Sequence, residues 1–221
     1  RSTLLFCPTH TAVENLRKEG ITQGVYHVGD VMYDATLYFA RQAEDNSTIL
    51  DKLQLVSKGY YLATIHRAQT TDNTEILANI LRAFQQIQQP IILPLHPRTR
   101  KAIENSSTLT KLVQSSDNLR VIDSVSYLDM LLLEKHAARI LTDSGGVQKE
   151  AYFHHTPCIT MRDETEWVET IEAGWNTLVG TDTARILQAV EAPLQPQHEI
   201  NEYGNGNAAT NIIKILCQNE Y

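Results

Sequence analysis

The feature that most constrains this chain is its rhythm from residue 60 onward, where short apolar runs alternate with helical patterns. The runs fall at 60–65, 91–95, 119–122, 139–142, 158–161 and 177–179. Between them lies a long segment with Ile76, Ile80, Phe84 and Ile87 near one face. A helix over 127–135 has Ser126 and Asp129 at its start, and another covers 147–153. A short one ends at Gly174, and one more spans 183–190. Pro94, near the end of the second run, is a blemish in an otherwise regular pattern. Such alternation calls for a mostly parallel sheet covered on both faces, and right-handed crossovers make it doubly wound. The expected class is therefore α/β, Rossmann-like.

Upstream, 4–7 reads as a strand, and Thr11 with Glu14 forms a capping-box pattern for a helix that Gly20 closes. A second strand at 25–28 ends on Gly29-Asp30, and a helix carrying Val31, Ala35 and Phe39 follows before a polar stretch at 44–48. Residues 195–207 are polar and turn-rich, and 208–217 reads as a final helix. Arg1 is not an initiator and Leu4-Leu5-Phe6 already looks buried, so the chain is expected to begin inside a domain.

Composition narrows the function classes. With 19 basic and 26 acidic residues the formal charge is −7, against the basic face that a nucleic acid needs. An anionic ligand must then be held by local groups. Cys7, Cys158 and Cys217 are odd in number and far apart, so neither a disulfide framework nor a metal spacing follows. Reduced thiols in a cytoplasmic protein are expected, with no membrane span.

Open parallel sheets bind ligands beyond the carboxyl ends of their strands. There this chain places His66-Arg67, His96-Pro97-Arg98, Asp123-Ser124, Asp143-Ser144-Gly145-Gly146 and Arg162-Asp163-Glu164. The Asp-Ser-Gly-Gly turn ends a strand and opens a helix, where free amides and the helix dipole suit a phosphate. The bland alternative is a plain N-cap at Ser144. Glu150, in the same helix, is either an exposed carboxylate or an acceptor for two ribose hydroxyls. His66 is a candidate acid or phosphate partner, since an imidazole as such can change charge near neutral pH. His154-His155 are poorly spaced for one metal and read as a helix end. Trp167 and Trp175 read as packing residues. No G-x-G-x-x-G or P-loop pattern occurs, so NAD and Mg-ATP lack support.

These residues resemble the non-hydrolysing UDP-N-acetylglucosamine 2-epimerase family. The likeness rests on Leu5-Phe6-Cys7-Pro8-Thr9, Val28-Gly29-Asp30-Val31, Thr64-Ile65-His66-Arg67, Leu95-His96-Pro97-Arg98 and the run Asp143-Ser144-Gly145-Gly146-Val147-Gln148-Lys149-Glu150-Ala151. Met161-Arg162-Asp163-Glu164-Thr165-Glu166 and Tyr203-Gly204-Asn205-Gly206 add to it. It implies half of a glycosyltransferase-B-like fold: 1–30 as the tail of an N-terminal α/β domain, 31–58 as a crossing, 59–195 as the nucleotide-binding domain, and 196–221 returning to the N-terminal domain. It further implies that His66 acts near the phosphates, that Ser144, Gly145 and Gly146 hold the diphosphate, and that Glu150 holds ribose. Val125 and Met130 would contact uracil, and Arg67, His96 and Trp167 would belong to the substrate site. Trp167 stands where many members carry an arginine, and Ala68-Gln69 follow Arg67 where the family often has a glutamate second. The segments Glu166-Trp167-Val168-Glu169 and 125–130 look more like epimerases of UDP-2,3-diacetamido-2,3-dideoxy-glucuronic acid. The implied reaction inverts C2 by eliminating and re-adding UDP without metal or redox cofactor. The key carboxylates would lie in the N-terminal domain, so this chain alone is expected to be inactive, and the full-length form to be a homodimer. A glycosyltransferase domain of the same fold, a hydrolysing epimerase and a non-catalytic nucleotide-sugar module are the competing readings.

Overall fold

The computed structural model describes residues 2–193, 196 and 198–218. Arg1, and Gln195 and Gln197 of the polar stretch, lie outside the described residues. The chain divides into two compact units, residues 1–42 with 199–221, and residues 43–198.

In the first unit, β1 (Leu5–Cys7) pairs in parallel with β2 (Val25–His27), with α1 (His10–Lys18) between them and α2 (Val31–Asn46) following. The capping residue of α1 is not Thr11 but Thr9, whose Oγ1 accepts the Ala12 amide at 3.2 Å. The strand ends at Cys7, so Pro8-Thr9 already supplies the turn and Thr11 falls inside the helix. Glu14 pairs instead with Arg17 on the same surface. Two separated sequence segments meet here. The Asp30 amide donates to the Tyr203 carbonyl at 3.0 Å. Gly29 (φ +88°) lies so close that a Cβ would sit 2.9 Å from that oxygen. The closing helix Ala208–Gln218 opens on the Asp34 carboxylate, which accepts the Ala208 and Ala209 amides at 3.1 and 2.8 Å.

The second unit contains α3 (Ile49–Leu53) and β3 (Tyr61–Thr64), followed by α4 (Ala68–Thr71) and α5 (Thr74–Gln86). Next come β4 (Ile91–Pro94), α6 (Pro97–Glu104), α7 (Ser107–Gln114), β5 (Leu119–Ile122), α8 (Tyr127–His136) and β6 (Arg139–Thr142). The series closes with α9 (Gly145–Phe153), β7 (Cys158–Thr160), α10 (Val168–Glu172), β8 (Asn176–Leu178) and α11 (Thr183–Glu191). The six strands form one all-parallel sheet in the order β5-β4-β3-β6-β7-β8. Parallel neighbours need crossovers, and the helices of each crossover cover a face.

Both faces are buried, which is why the strands read as continuous apolar runs. Tyr61, Ala63 and Ile65 join a core with Leu77, Leu81, Phe84, Leu93 and Ile186. By the period of two, Leu62 points to the other face, and it too is fully buried. Helix α5 packs against α7 and α11, and α8 packs against α3 and α9. Pro94 is tolerated in an interior strand because β4 pairs with β3 only through Ile91 and Ile92. Beyond those residues a missing amide on that edge breaks no ladder bond. No described helix is long and apolar enough to cross a membrane.

Candidate functional site

Chain order in the sheet reverses between β3 and β6. From β3 the chain steps outward to β4 and β5, then returns to the other side of β3 with β6 and steps outward again. The splayed crossovers leave a crevice beyond the carboxyl ends of those two strands. His66-Arg67 follow β3 and Asp143-Ser144-Gly145-Gly146 follow β6, so the two segments singled out in sequence lie side by side at the switch point.

The phosphate-type turn is built as the first turn of α9. Ser144 is the N-cap, its Oγ accepting the Val147 amide at 3.4 Å. The Ser144 amide is taken by Thr142 Oγ1 at 2.9 Å, and that hydroxyl meets Thr64 Oγ1 at 2.5 Å across the two strands. Gly145 and Gly146 are helical rather than left-handed, so φ is not what calls for glycine here. Nor is crowding within the protein: a Cβ on Gly145 would make only ordinary contacts, 3.4 Å from Trp167 Nε1, 3.5 Å from Glu166 Oε2 and 3.8 Å from Arg67 Nη2. The first amides of a helix have no intrahelical acceptor, so the Gly145 and Gly146 N–H groups remain as donors for an anion.

Asp143 holds the other half of the switch point. Its carboxylate is fully buried and accepts the His66 amide at 3.0 and 3.2 Å and the Arg67 amide at 3.0 Å. His66 Nδ1 lies 3.9 Å from Asp143 Oδ1, and the imidazole stands 5.4 Å from that of His96. His96 caps α6 by accepting the Arg98 amide on Nδ1 at 3.1 Å.

His66, His96, Val125 and Met130 line one cleft of about 370 Å³, together with Leu95 and Tyr127. A nucleobase-sized apolar slot next to amide donors is the expected form of a nucleotide site. Tyr127 joins this cleft to Glu150 by donating its hydroxyl to Oε1 at 3.0 Å. Glu150 is not the exposed helix carboxylate that its sequence context allows. It is 6% exposed, and burial raises its pKa to about 7, opposed by the Tyr127 hydrogen bond and the Lys149 charge. Behind it on α8 sits Glu134, fully buried with neither carboxyl oxygen hydrogen-bonded. Burial, then the nearby Glu150, pushes the Glu134 pKa well upward.

The loop after β7 forms the remaining wall. Buried Arg162 grips Glu166 with two bonds of 3.0 Å, and this holds the Glu166 carboxyl down at about 2. Arg67 adds a longer contact to Glu166 at 3.5 Å. Trp167 precedes α10 and carries the Lys149 ammonium 4.2 Å above its ring. Beneath, Gln148 Oε1 accepts from Thr165 at 2.6 Å and Asn176 at 3.3 Å, tying the loop to α9.

Thus Arg67, Ser144, Gly145, Gly146 and Trp167 gather at the turn, His66, His96, Val125 and Met130 line the cleft, and Glu150 is reached through Tyr127. His154 and His155 end α9 as expected, and burial lowers the His154 pKa to about 4. Trp175 packs against Tyr152 and His155. Among the described residues no group of three His, Cys, Asp or Glu side chains is placed to hold a metal ion. Sequence reasoning gave no role to Asp143, Tyr127 or Glu134. Only Asp143 left a trace, as the residue between a strand end and a helix cap.

The UDP-N-acetylglucosamine 2-epimerase family model matches residues 1–217. A UDP-N-acetylglucosamine 2-epimerase homolog of Methanococcus maripaludis is 48% identical over 97% of this chain and 60% of its own. A UDP-2,3-diacetamido-2,3-dideoxy-D-glucuronate 2-epimerase of Pseudomonas aeruginosa is 41% identical over 98% of this chain and 60% of its own. Among solved structures, the Methanocaldococcus jannaschii UDP-GlcNAc 2-epimerase in complex with UDP-GlcNAc and UDP superposes with a TM-score of 0.90 at 40% identity. That match covers 98% of this chain and 61% of the other. The chain thus spans about three-fifths of the length of these relatives, in a glycosyltransferase-B-like α/β fold. On this evidence the chain belongs to the UDP-N-acetylglucosamine 2-epimerase family.

Proposed function

We propose that residues 43–198 bind the UDP moiety of a UDP-sugar and serve a 2-epimerase that inverts C2. One observation carries this reading: amide donors, an imidazole and a buried carboxylate converge at the switch point beside an apolar slot. The diphosphate sits on the Gly145 and Gly146 amides with the Ser144 hydroxyl, the ribose hydroxyls on Glu150, and uracil between Val125 and Met130. Met130 supplies a polarisable apolar surface for the base. Arg67 adds positive charge at the diphosphate, and His96 and Trp167 bound the sugar side.

In the reaction a base removes the C2 proton as the C1–O bond breaks, giving a glycal and UDP. Reprotonation of C2 on the opposite face and return of UDP to C1 complete the inversion. Charge builds on the departing diphosphate, and donors fixed beforehand stabilise it without reorganising. His66 acts there, and the groups that move the C2 proton belong to the N-terminal domain of the full-length enzyme. The sugar is UDP-N-acetylglucosamine or its 2,3-diacetamido-glucuronate counterpart. The test is calorimetric titration of this chain with UDP, uridine and CDP. Saturable binding with UDP preferred over both is expected. Equal affinity for UDP and uridine would remove the diphosphate from the turn and with it this reading.

A further inference from the structure

Asp143 has no exposed surface and lies at the end of β6, yet its carboxylate bonds across to the segment after β3. Oδ2 accepts the amides of both His66 and Arg67, at 3.2 and 3.0 Å, while Oδ1 accepts the His66 amide at 3.0 Å and faces His66 Nδ1 at 3.9 Å. The loop is fixed at two further points. Thr99 Oγ1 donates to the Ile65 carbonyl, and the Asp143 amide donates to the Thr64 carbonyl at 3.3 Å. The two amides that follow β3 are therefore consumed inside the protein, and anion binding by backbone is left to the α9 turn.

We propose that Asp143 is a positioning residue for His66: across the switch point it fixes the backbone of His66 and sets the imidazole so that Nδ1–H faces the carboxylate and Nε2 is left for the ligand. This rests on the reading of His66 as the group acting on the leaving diphosphate. At 3.9 Å the ring contact is electrostatic rather than a hydrogen bond, and it orients the ring by favouring a proton on the near nitrogen. A buried carboxylate that served the backbone alone would need only Oδ2, which reaches both amides. The second oxygen and the charge are what face the ring.

That division of labour supplies the test. In Asp143→Asn the remaining oxygen can occupy the Oδ2 position and keep both amides, while the charge facing Nδ1 is lost. In the full-length enzyme we expect turnover to fall about tenfold or more, as for loss of an oriented proton-transfer group. UDP affinity should change by less than about threefold. The loss should vanish when Asp143→Asn is made in a His66→Asn background, since Asp143 acts through His66. A loss that persists undiminished in that background, or no loss at all, overturns the proposal. Should Asp143→Asn fail to fold, ¹H–¹⁵N correlation on the unsubstituted protein reads the same geometry. His66 protonated on Nδ1 supports the proposal, and the Nε2–H tautomer overturns it. A His66→Asn enzyme with undiminished turnover would instead remove the role of His66 itself, and the tautomer then judges the Asp143 contact alone.

Discussion

Glu150→Gln should make the empty protein more stable and the nucleotide complex weaker. Glu150 is 6% exposed, and burial lifts its pKa from 4.5 to about 7. Between those values the folded state holds a proton that the unfolded chain has released, so stability falls as pH rises from about 4.5 to about 7. At pH 8 the ionised carboxylate is unfavourable by about 3 kcal/mol, from 1.36 kcal/mol per decade. The uncharged amide removes that cost and keeps an oxygen for the Tyr127 hydroxyl. Its NH₂ group finds itself among buried neighbours, which subtracts about 1 kcal/mol. The net gain of about 2 kcal/mol corresponds to roughly 4–8 °C in Tm at pH 8, and it should disappear at about pH 5, where the carboxylate penalty falls to the cost of the buried amide. UDP affinity should fall about tenfold or more, because a charged acceptor for two hydroxyls is lost. In the unsubstituted chain UDP should bind more weakly at pH 6 than at pH 8. Thermal melts across pH and calorimetry with UDP read both effects. A Tm difference that ignores pH would refute the burial argument, and undiminished UDP affinity would refute the ribose assignment.

Other expectations concern the same crevice. His66→Asn should lower turnover of the full-length enzyme far more than it lowers UDP affinity, since the charge it meets develops mainly in the transition state. Equal losses in the two would mean ground-state phosphate contact instead. Gly145→Ala should fold with stability within about 1 kcal/mol of the original, because the residue is helical and its Cβ meets only ordinary contacts near 3.4 Å. Its UDP affinity should drop at least about tenfold, as the methyl group stands where the diphosphate approaches; unchanged affinity would move the phosphate elsewhere. This chain incubated with UDP-N-acetylglucosamine in D₂O should leave C2 unlabelled by NMR. Deuterium at C2 would place a competent base within these residues.

Alternation alone made the sheet legible, because strands covered on both faces cannot hide their apolar runs. The connection from β4 to β5 was not legible: α6 and α7 have only eight residues each, and one of the two buried positions of α6 is the polar Thr99. The turn after β6 could be read, since a cap and two glycines advertise free amides. Its partner contacts could not, because Asp143 finds its acceptor role only once β3 lies alongside β6, 77 residues away from His66 in sequence. Glu150 misleads for a related reason. Helix α9 buries seven residues in a row, Gln148, Lys149 and Glu150 among them, so it presents no polar face by which a buried carboxylate could be told from an exposed one.

The pairing of β3 with β6 has a consequence for when the site exists at all. The His66 and Arg67 amides are locked to a carboxylate that the chain supplies 77 and 76 residues later, so no local fluctuation of either loop can free them while the sheet is closed. Their exchange with solvent deuterium must wait for the central strands to part, placing these loop amides among the slowest in the unit rather than among its frayed edges. The same long separation makes this pairing expensive in loop closure and therefore late in folding. Binding competence then appears in a single step with the closing of the sheet, and a partly folded chain has no half-formed grip on nucleotide.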